Sequence, residues 1–272
     1  MIYLTAQTEL FKVAGFSIQT WGTLVALGII IAILLMLKEA RKKNIEDKVL
    51  NALVFMMVSG IILGRLAYIF MNPGSFPSFL SYFSLWQGGI ISWGVLIGVI
   101  IGAFLFKFAT KTKSSEFFGL LDLMAPYLVL AIAIGRIGCL LRGCCYGLPT
   151  SLPWGIVYSG GFSEGAVHPT QLYHSILDFI IIFVLLNLGR KKATLEKYQI
   201  KSKYRFFNIQ GSIFLLFLML YSLERFIVDF LRYHPASEYI AGVTITQLTF
   251  TAIFIVATIL LNIKQKKNKK LD

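Results

Sequence analysis

Charge is scarce in this chain: 14% of its 272 residues are Asp, Glu, Lys or Arg, against 57% hydrophobic. Mean hydropathy is correspondingly high, at +0.74, which excludes an ordinary soluble domain and indicates a polytopic helical membrane protein. Carboxylates are scarcer still, with 13 Asp and Glu against 26 Lys and Arg. The resulting net charge of +13 would otherwise invite a nucleic-acid reading. Here the lysines cluster just outside apolar runs, where they act as orientation signals and as contacts with acidic lipid, so no nucleic-acid partner is expected. The three cysteines, Cys139, Cys144 and Cys145, are clustered and odd in number, which argues against a disulfide framework. Met1 to Lys12 includes Glu9 and no basic leader, and no small-residue cleavage site follows the first apolar run, so that run is expected to be retained as an anchor. Internal duplication is also lacking, beyond the shared dipeptides Gly64-Arg65 and Gly135-Arg136.

Apolar runs of spanning length begin near Trp21, Val49, Ile90, Phe117, Thr170, Phe207 and Val243. The expectation is an all-α protein of seven transmembrane helices, forming a single integral-membrane domain over 1–272 with a basic tail at 264–272. All but six of the Lys and Arg residues fall into four segments. These are Lys38 to Lys48, Lys107 to Lys113, Arg190 to Arg205 (Lys201 and Lys203 included) and Lys264 to Lys270. With seven spans all four lie on one side, so the positive-inside bias places the amino terminus outside and the carboxyl terminus in the cytoplasm. Gly60 and Gly64, and Gly94, Gly98 and Gly102, repeat at i, i+4 and are read as ridges for close helix packing.

Five of the six remaining basic residues are arginines in or beside apolar stretches: Arg65, Arg136, Arg142, Arg225 and Arg232. A guanidinium near the hydrocarbon costs about 2.5–3.5 kcal/mol on insertion scales. It also grips phosphate through two hydrogen bonds where Lys offers a point charge. Without a matching set of carboxylates, these arginines suggest an anionic lipid headgroup as substrate. Counted from their span starts, Arg65, Arg136 and Arg225 lie at depths of roughly 24, 28 and 27 Å, near the outer-leaflet phosphates of a bilayer core about 30 Å thick. For any one of them alone, snorkelling or helix capping is the ordinary reading.

Three segments concentrate chemistry. In Gly135 to Gly147, four glycines are expected to break the helix and bare N–H groups that, with Arg136 and Arg142, form an anion site. In His168-Pro169-Thr170-Gln171-Leu172-Tyr173-His174, Pro169 suits a helix start, and His168 is either a cap or a proton acceptor. In Tyr221 to Arg232, Tyr221, Arg225, Asp229 and Arg232 share one helical face. There Asp229 either neutralises Arg225 or holds its guanidinium for phosphate. The spacing Cys139-x4-Cys144-Cys145 lacks a Cys-x-x-Cys pair. Packing is therefore the preferred role for these cysteines, with a disulfide, a covalent intermediate or a zinc site as alternatives, and no metal or other cofactor is expected.

At these segments the chain resembles the prolipoprotein diacylglyceryl transferase family, bacterial enzymes that add the first lipid to lipoproteins. The Gly135–Gly147 stretch is similar to the family's Gly-Arg-x-Gly signature, with Asp122, Ala125 and Pro126 just upstream. His168 to Tyr173 is similar to its His-Pro-Ser-Gln-Leu-Tyr motif, and Tyr221 with Arg225–Arg232 to its last conserved helix. Gly242 to Gln247 and Gly88-Gly89…Gly98 add weaker agreement. Departures are present: Cys139 and Arg142 stand at the signature's asparagines, Cys144 at its acidic residue, Trp93 at a histidine proposed as base, Trp21 at an early tyrosine, and His174 at a glutamate.

The resemblance implies transfer of a diacylglyceryl group from phosphatidylglycerol to the lipobox cysteine of a prolipoprotein signal peptide, releasing glycerol phosphate. It implies a bacterial plasma-membrane location, lipid contacts, and an active site toward the outer leaflet. Arg136, Arg225, His168 and Tyr221 are the catalytic candidates, with Arg136, Gly135, Gly138, Gly147, Arg65, Arg232, Gln171 and Asp229 binding substrate. The altered signature favours one alternative, a paralogous phospholipid-dependent transferase with another acceptor; an anionic-lipid transporter and a non-catalytic lipid-binding remnant are the others.

Overall fold

A computed structural model describes residues 1–13, 16–75, 81–82, 89–159, 163, 165–200 and 204–269. Gly88, Lys201, Lys203 and Lys270 therefore lie outside the described residues. In chain order come strands β1 (Ile2–Thr5), β2 (Glu9–Val13) and β3 (Phe16–Gln19), then helices α1 (Thr20–Lys42), α2 (Glu46–Met71), α3 (Ser92–Ala109) and α4 (Ser114–Arg142). Next are β4 (Ile156–Ser159), β5 (Ala166–Val167), α5 (Thr170–Lys197), α6 (Ser212–Asp229), β6 (Tyr239–Ile240), β7 (Val243–Thr244) and α7 (Ile245–Lys269). The architecture is helical, as expected, with short strands added in the segments that flank the helices. By length and composition α1, α2, α4, α5 and α7 can each cross a membrane. Their outward faces carry exposed Ile, Leu and Phe such as Ile62, Ile180, Phe183 and Ile259, the surface that lipid rather than water would cover.

The chain divides into two compact units, one of residues 37–120 and one of 1–36 with 121–272. In the first, α2 and α3 pack antiparallel through the small-residue ridges. A Cβ added at Gly94, Gly98 or Gly102 would lie 2.5, 2.3 or 2.4 Å from the carbonyl oxygens of Leu63, Ser59 and Phe55. Only glycine permits that approach, as the i, i+4 spacing implied.

In the second unit, Ala125, Val129 and Ala133 of α4 form a core with Ile181, Ile182 and Leu185 of α5 and Ile213 and Phe217 of α6. Its register is set at one end by Asp122. That carboxylate accepts from the backbone N–H of Gly211 (2.8 Å) and Phe214 (2.9 Å), capping the start of α6. It also takes the Lys192 ammonium of α5 at 2.6 Å. α6 begins at Ser212, later than the Phe207 expected from the apolar run, because residues 205–208 form a 3-10 turn. Arg136 lies 14 residues beyond Asp122, and Arg225 lies 14 beyond Gly211. Both helices run the same way from that pin, so the two arginines stand level, roughly 21 Å above it.

Candidate active site

The glycines of the signature do not break α4, which continues to Arg142. Gly135 and Gly138 let α1 approach: a Cβ at Gly138 would sit 3.1 Å from Leu24 Cβ and 3.3 Å from the Trp21 carbonyl. The helix ends in a Schellman turn, with Gly143 at φ +72°, its N–H donating to Leu140 O and that of Cys144 to Cys139 O. Gly147 is crowded on three sides, since a Cβ there would lie 2.3 Å from Leu231 O, 2.7 Å from His168 Cβ and 2.8 Å from Thr170 Cγ2. Its N–H donates to His168 O. The expected nest of bare N–H groups is thus replaced by backbone pairing. Arg142 is exposed at the end of α4 and, six residues on from Arg136, lies on another face.

Arg136 and Arg232 lie within electrostatic reach of Arg225. Arg225 is buried, with its Cζ 5.2 Å from the Phe250 ring. Its Nη1–H donates to His174 Nε2 at 3.2 Å. Because that ring nitrogen must accept, the proton sits on Nδ1 and is donated to Glu224. Among the described residues, the guanidinium groups of Arg136 and Arg232 and the hydroxyl of Tyr221 have no hydrogen-bond partner. The Tyr221 ring packs between Phe217 and Phe250, within electrostatic reach of Arg136 and Arg225. Two cations with unused donors beside a third that is held in place make a site for a polyoxyanion.

Several candidates have other tasks. Asp229 does not hold Arg225: one oxygen accepts from His234 Nε2 at 2.9 Å and the other from Thr244. It thereby ties the end of α6 to the start of α7, where Thr244 and Gln247 form a capping box. Gln171 is fully buried and donates to Cys144 O (2.5 Å) and to the Tyr158 hydroxyl (3.3 Å), so it braces the loop rather than facing a substrate. The Tyr158 hydroxyl in turn donates to Leu140 O, and burial pushes its pKa up to about 12. His168 Nδ1 lies 3.2 Å from the Tyr173 hydroxyl, which also accepts from Trp154. The histidine that touches an arginine of the cluster is His174. In its own unit, Arg65 donates to the carbonyls of Ser81 (2.8 Å), Tyr82 (2.9 Å) and Gly89 (3.1 Å), holding a loop.

Sequence reasoning missed His174, Glu224 and Asp178. All three are buried, and among the described residues both carboxylate oxygens of Asp178 lack hydrogen-bond partners, with the charges of Arg136 and Arg225 nearby. The signal was present: Gln171, His174, Ser175 and Asp178 recur at i, i+3, i+4 and i+7, a polar stripe on an otherwise apolar helix.

The turn after α4 brings Cys139, Cys144 and Cys145 together, with their sulfurs all within 4.8 Å of one another. The Cys144 thiol donates to the Cys139 carbonyl at 3.7 Å, and the positive charges of Arg232 and Arg136 lie within electrostatic reach of Cys145. Cys145 and Arg232 line one open cleft of about 270 Å³, together with Tyr146, Tyr233, His234 and Glu238.

Residues 8–263 match the family model described as prolipoprotein diacylglyceryl transferase. A phosphatidylglycerol–prolipoprotein diacylglyceryl transferase of Clostridium tetani is 35% identical over 230 residues, covering 83% of this chain and 85% of its own. A second protein so named, numbered 2, from Clostridium perfringens is 33% identical over 266 residues, covering 95% and 96%. One from Clostridioides difficile is 35% identical over 224 residues, covering 82% of each.

Proposed function

The chain belongs to the prolipoprotein diacylglyceryl transferase family, and from that premise we propose how it moves a diacylglyceryl group from phosphatidylglycerol to the lipobox cysteine of a prolipoprotein. The acceptor sulfur, as thiolate, attacks the glyceryl carbon bonded to phosphate. A C–S bond forms, the C–O bond breaks, and the electron pair leaves with glycerol phosphate, whose phosphate passes from one negative charge toward two. Guanidinium groups aimed at that phosphate bind the transition state more tightly than the ground state.

The observation that carries this assignment is the pair of guanidinium groups, Arg136 and Arg232, that have no hydrogen-bond partner among the described residues and lie within electrostatic reach of Arg225. Arg136 and Arg225 take the phosphate oxygens, Arg232 meets the departing charge at the cleft, and Tyr221 donates its free hydroxyl. Arg225 keeps its position through the chain Glu224–His174–Arg225. Arg65 keeps the loop it binds in place. His168, paired through its backbone with Gly147 and Leu148 next to Tyr146 of the cleft, is the assigned acceptor of the thiol proton, aided by the positive field. The four basic segments support seven spans with an outside amino terminus and a cytoplasmic carboxyl terminus. The site then faces the outer leaflet of a bacterial plasma membrane.

Replacing Arg136 with Ala is expected to reduce diacylglyceryl transfer to a lipobox peptide by at least about 100-fold. The assay uses labelled phosphatidylglycerol and follows both the thioether product and released glycerol phosphate. Turnover near that of the parent, in a variant that inserts normally, eliminates the role given to Arg136.

A further inference from the structure

The phosphate chemistry above leaves the cysteines unused, yet all three of the chain's cysteines meet at one point. Cys139 is buried near the end of α4, while Cys144 and Cys145 are half-buried in the turn that follows, and none is in a disulfide. The turn is held so that their sulfurs converge. Gly143 takes the left-handed conformation, and so does Cys145, at φ +64°, a conformation strained for a non-glycine residue. The carbonyls of Cys144 and Cys145 are anchored by Gln171 Nε2 (2.5 Å) and Thr170 Oγ1 (2.7 Å) at the start of α5.

We propose that Cys139, Cys144 and Cys145 form a three-thiolate site for a thiophilic divalent cation of the zinc class, whose fourth coordination position receives the acceptor thiol. The geometry fits. At a metal–sulfur length of about 2.3 Å, tetrahedral ligands stand roughly 3.8 Å apart, and these sulfurs already lie within 4.8 Å of one another. A single close pair would suit a disulfide, whereas three mutually close sulfurs suit a metal. Charge fits as well. Three thiolates around a divalent cation leave a net charge of −1, and a fourth makes it −2, with the Arg136 and Arg232 charges acting on Cys145. Access fits too, because Cys145 lines the open cleft that Arg232 also lines, placing the acceptor sulfur beside the departing phosphate.

The fourth-ligand half of the proposal rests on the transferase reading; the metal site itself does not. Loading releases three thiol protons to solvent. The acceptor thiol passes its own proton to His168, the acceptor assigned above, on coordination and is presented as thiolate. Its sulfur lone pair forms the C–S bond as the C–O pair leaves with glycerol phosphate. The thioether product carries no charge, binds the cation weakly, and departs.

The test titrates the full-length protein, purified in detergent and kept reduced, with Co²⁺ as a spectroscopic stand-in for zinc. One equivalent should bind with a thiolate-to-cobalt charge-transfer band. Each of Cys139→Ser, Cys144→Ser and Cys145→Ser, checked for parental elution and melting, should weaken binding at least about 100-fold. A lipobox peptide should change the cobalt d–d spectrum, and the same peptide with Ser in place of its Cys should not. Absence of a thiolate band, a band that survives in the Ser variants, or a disulfide in metal-free protein overturns the site. A band indifferent to both peptides overturns the fourth ligand. Transfer activity is measured in parallel: cobalt binding without transfer removes the transferase reading alone, and transfer without cobalt binding removes the metal site alone.

Discussion

His174 shows how much one side chain carries. Its two ring nitrogens join Glu224 to Arg225 across α5 and α6, and all three residues are buried. Removing the ring leaves a carboxylate and a guanidinium facing a void, each without its main partner. The cost of uncompensated buried charge is about 3–5 kcal/mol. His174→Ala is therefore expected to lower the melting temperature in detergent and to reduce transfer through misplacement of Arg225. His174→Gln, which can still accept from Arg225 and donate to Glu224, should recover a large part of both. Equal loss in the two variants would contradict the bridging role. The sequence shows His174 as a departure from a family pattern, but its task depends on a residue 50 positions away.

Among the elements, α6 depends most on its neighbours. Its 18 residues contain Glu224, Arg225 and Asp229, and its ends are held by side chains from elsewhere. Asp122 of α4 caps the start, and Thr244 before α7 binds Asp229 at the finish. The start also carries the Asp122–Lys192 ion pair, buried on both sides. Asp122→Ala is expected to cost about 3–5 kcal/mol by stranding Lys192, with a further ~1 kcal/mol for the lost cap. The double variant Asp122→Leu with Lys192→Met should be more stable than Asp122→Ala, as read by thermal unfolding in detergent. An additive loss instead would mean the pair does not act as a unit. The i, i+4 spacing of Arg225 and Asp229 suggested an ion pair within the helix. Tertiary partners took both side chains because each offered better-placed donors or acceptors in a dry interior.

At the scale of the whole molecule, a membrane protein is organised by two signals, apolar length and the sidedness of its lysines. Helix starts expected near Trp21, Val49, Ile90, Phe117, Thr170 and Val243 lie within three residues of those observed, at Thr20, Glu46, Ser92, Ser114, Thr170 and Ile245. The basic tail should then be cytoplasmic. Trypsin added to inside-out vesicles is expected to cleave at Lys266 and Lys267, and right-side-out vesicles to protect them. The reverse pattern would turn the arginine site toward the wrong leaflet and remove the proposed orientation.

Composition and apolar run length were enough to establish a helical membrane protein and most of its helix starts, because a bilayer rewards length and penalises charge locally. The glycine ridges were equally legible, since close approach needs only the spacing on one helix. Which arginines meet, what holds them, and the meeting of three cysteines across a Schellman turn were decided by tertiary structure. Those outcomes depend on side chains from separate helices competing for the same few donors and acceptors, and no spacing along one segment records which partner wins.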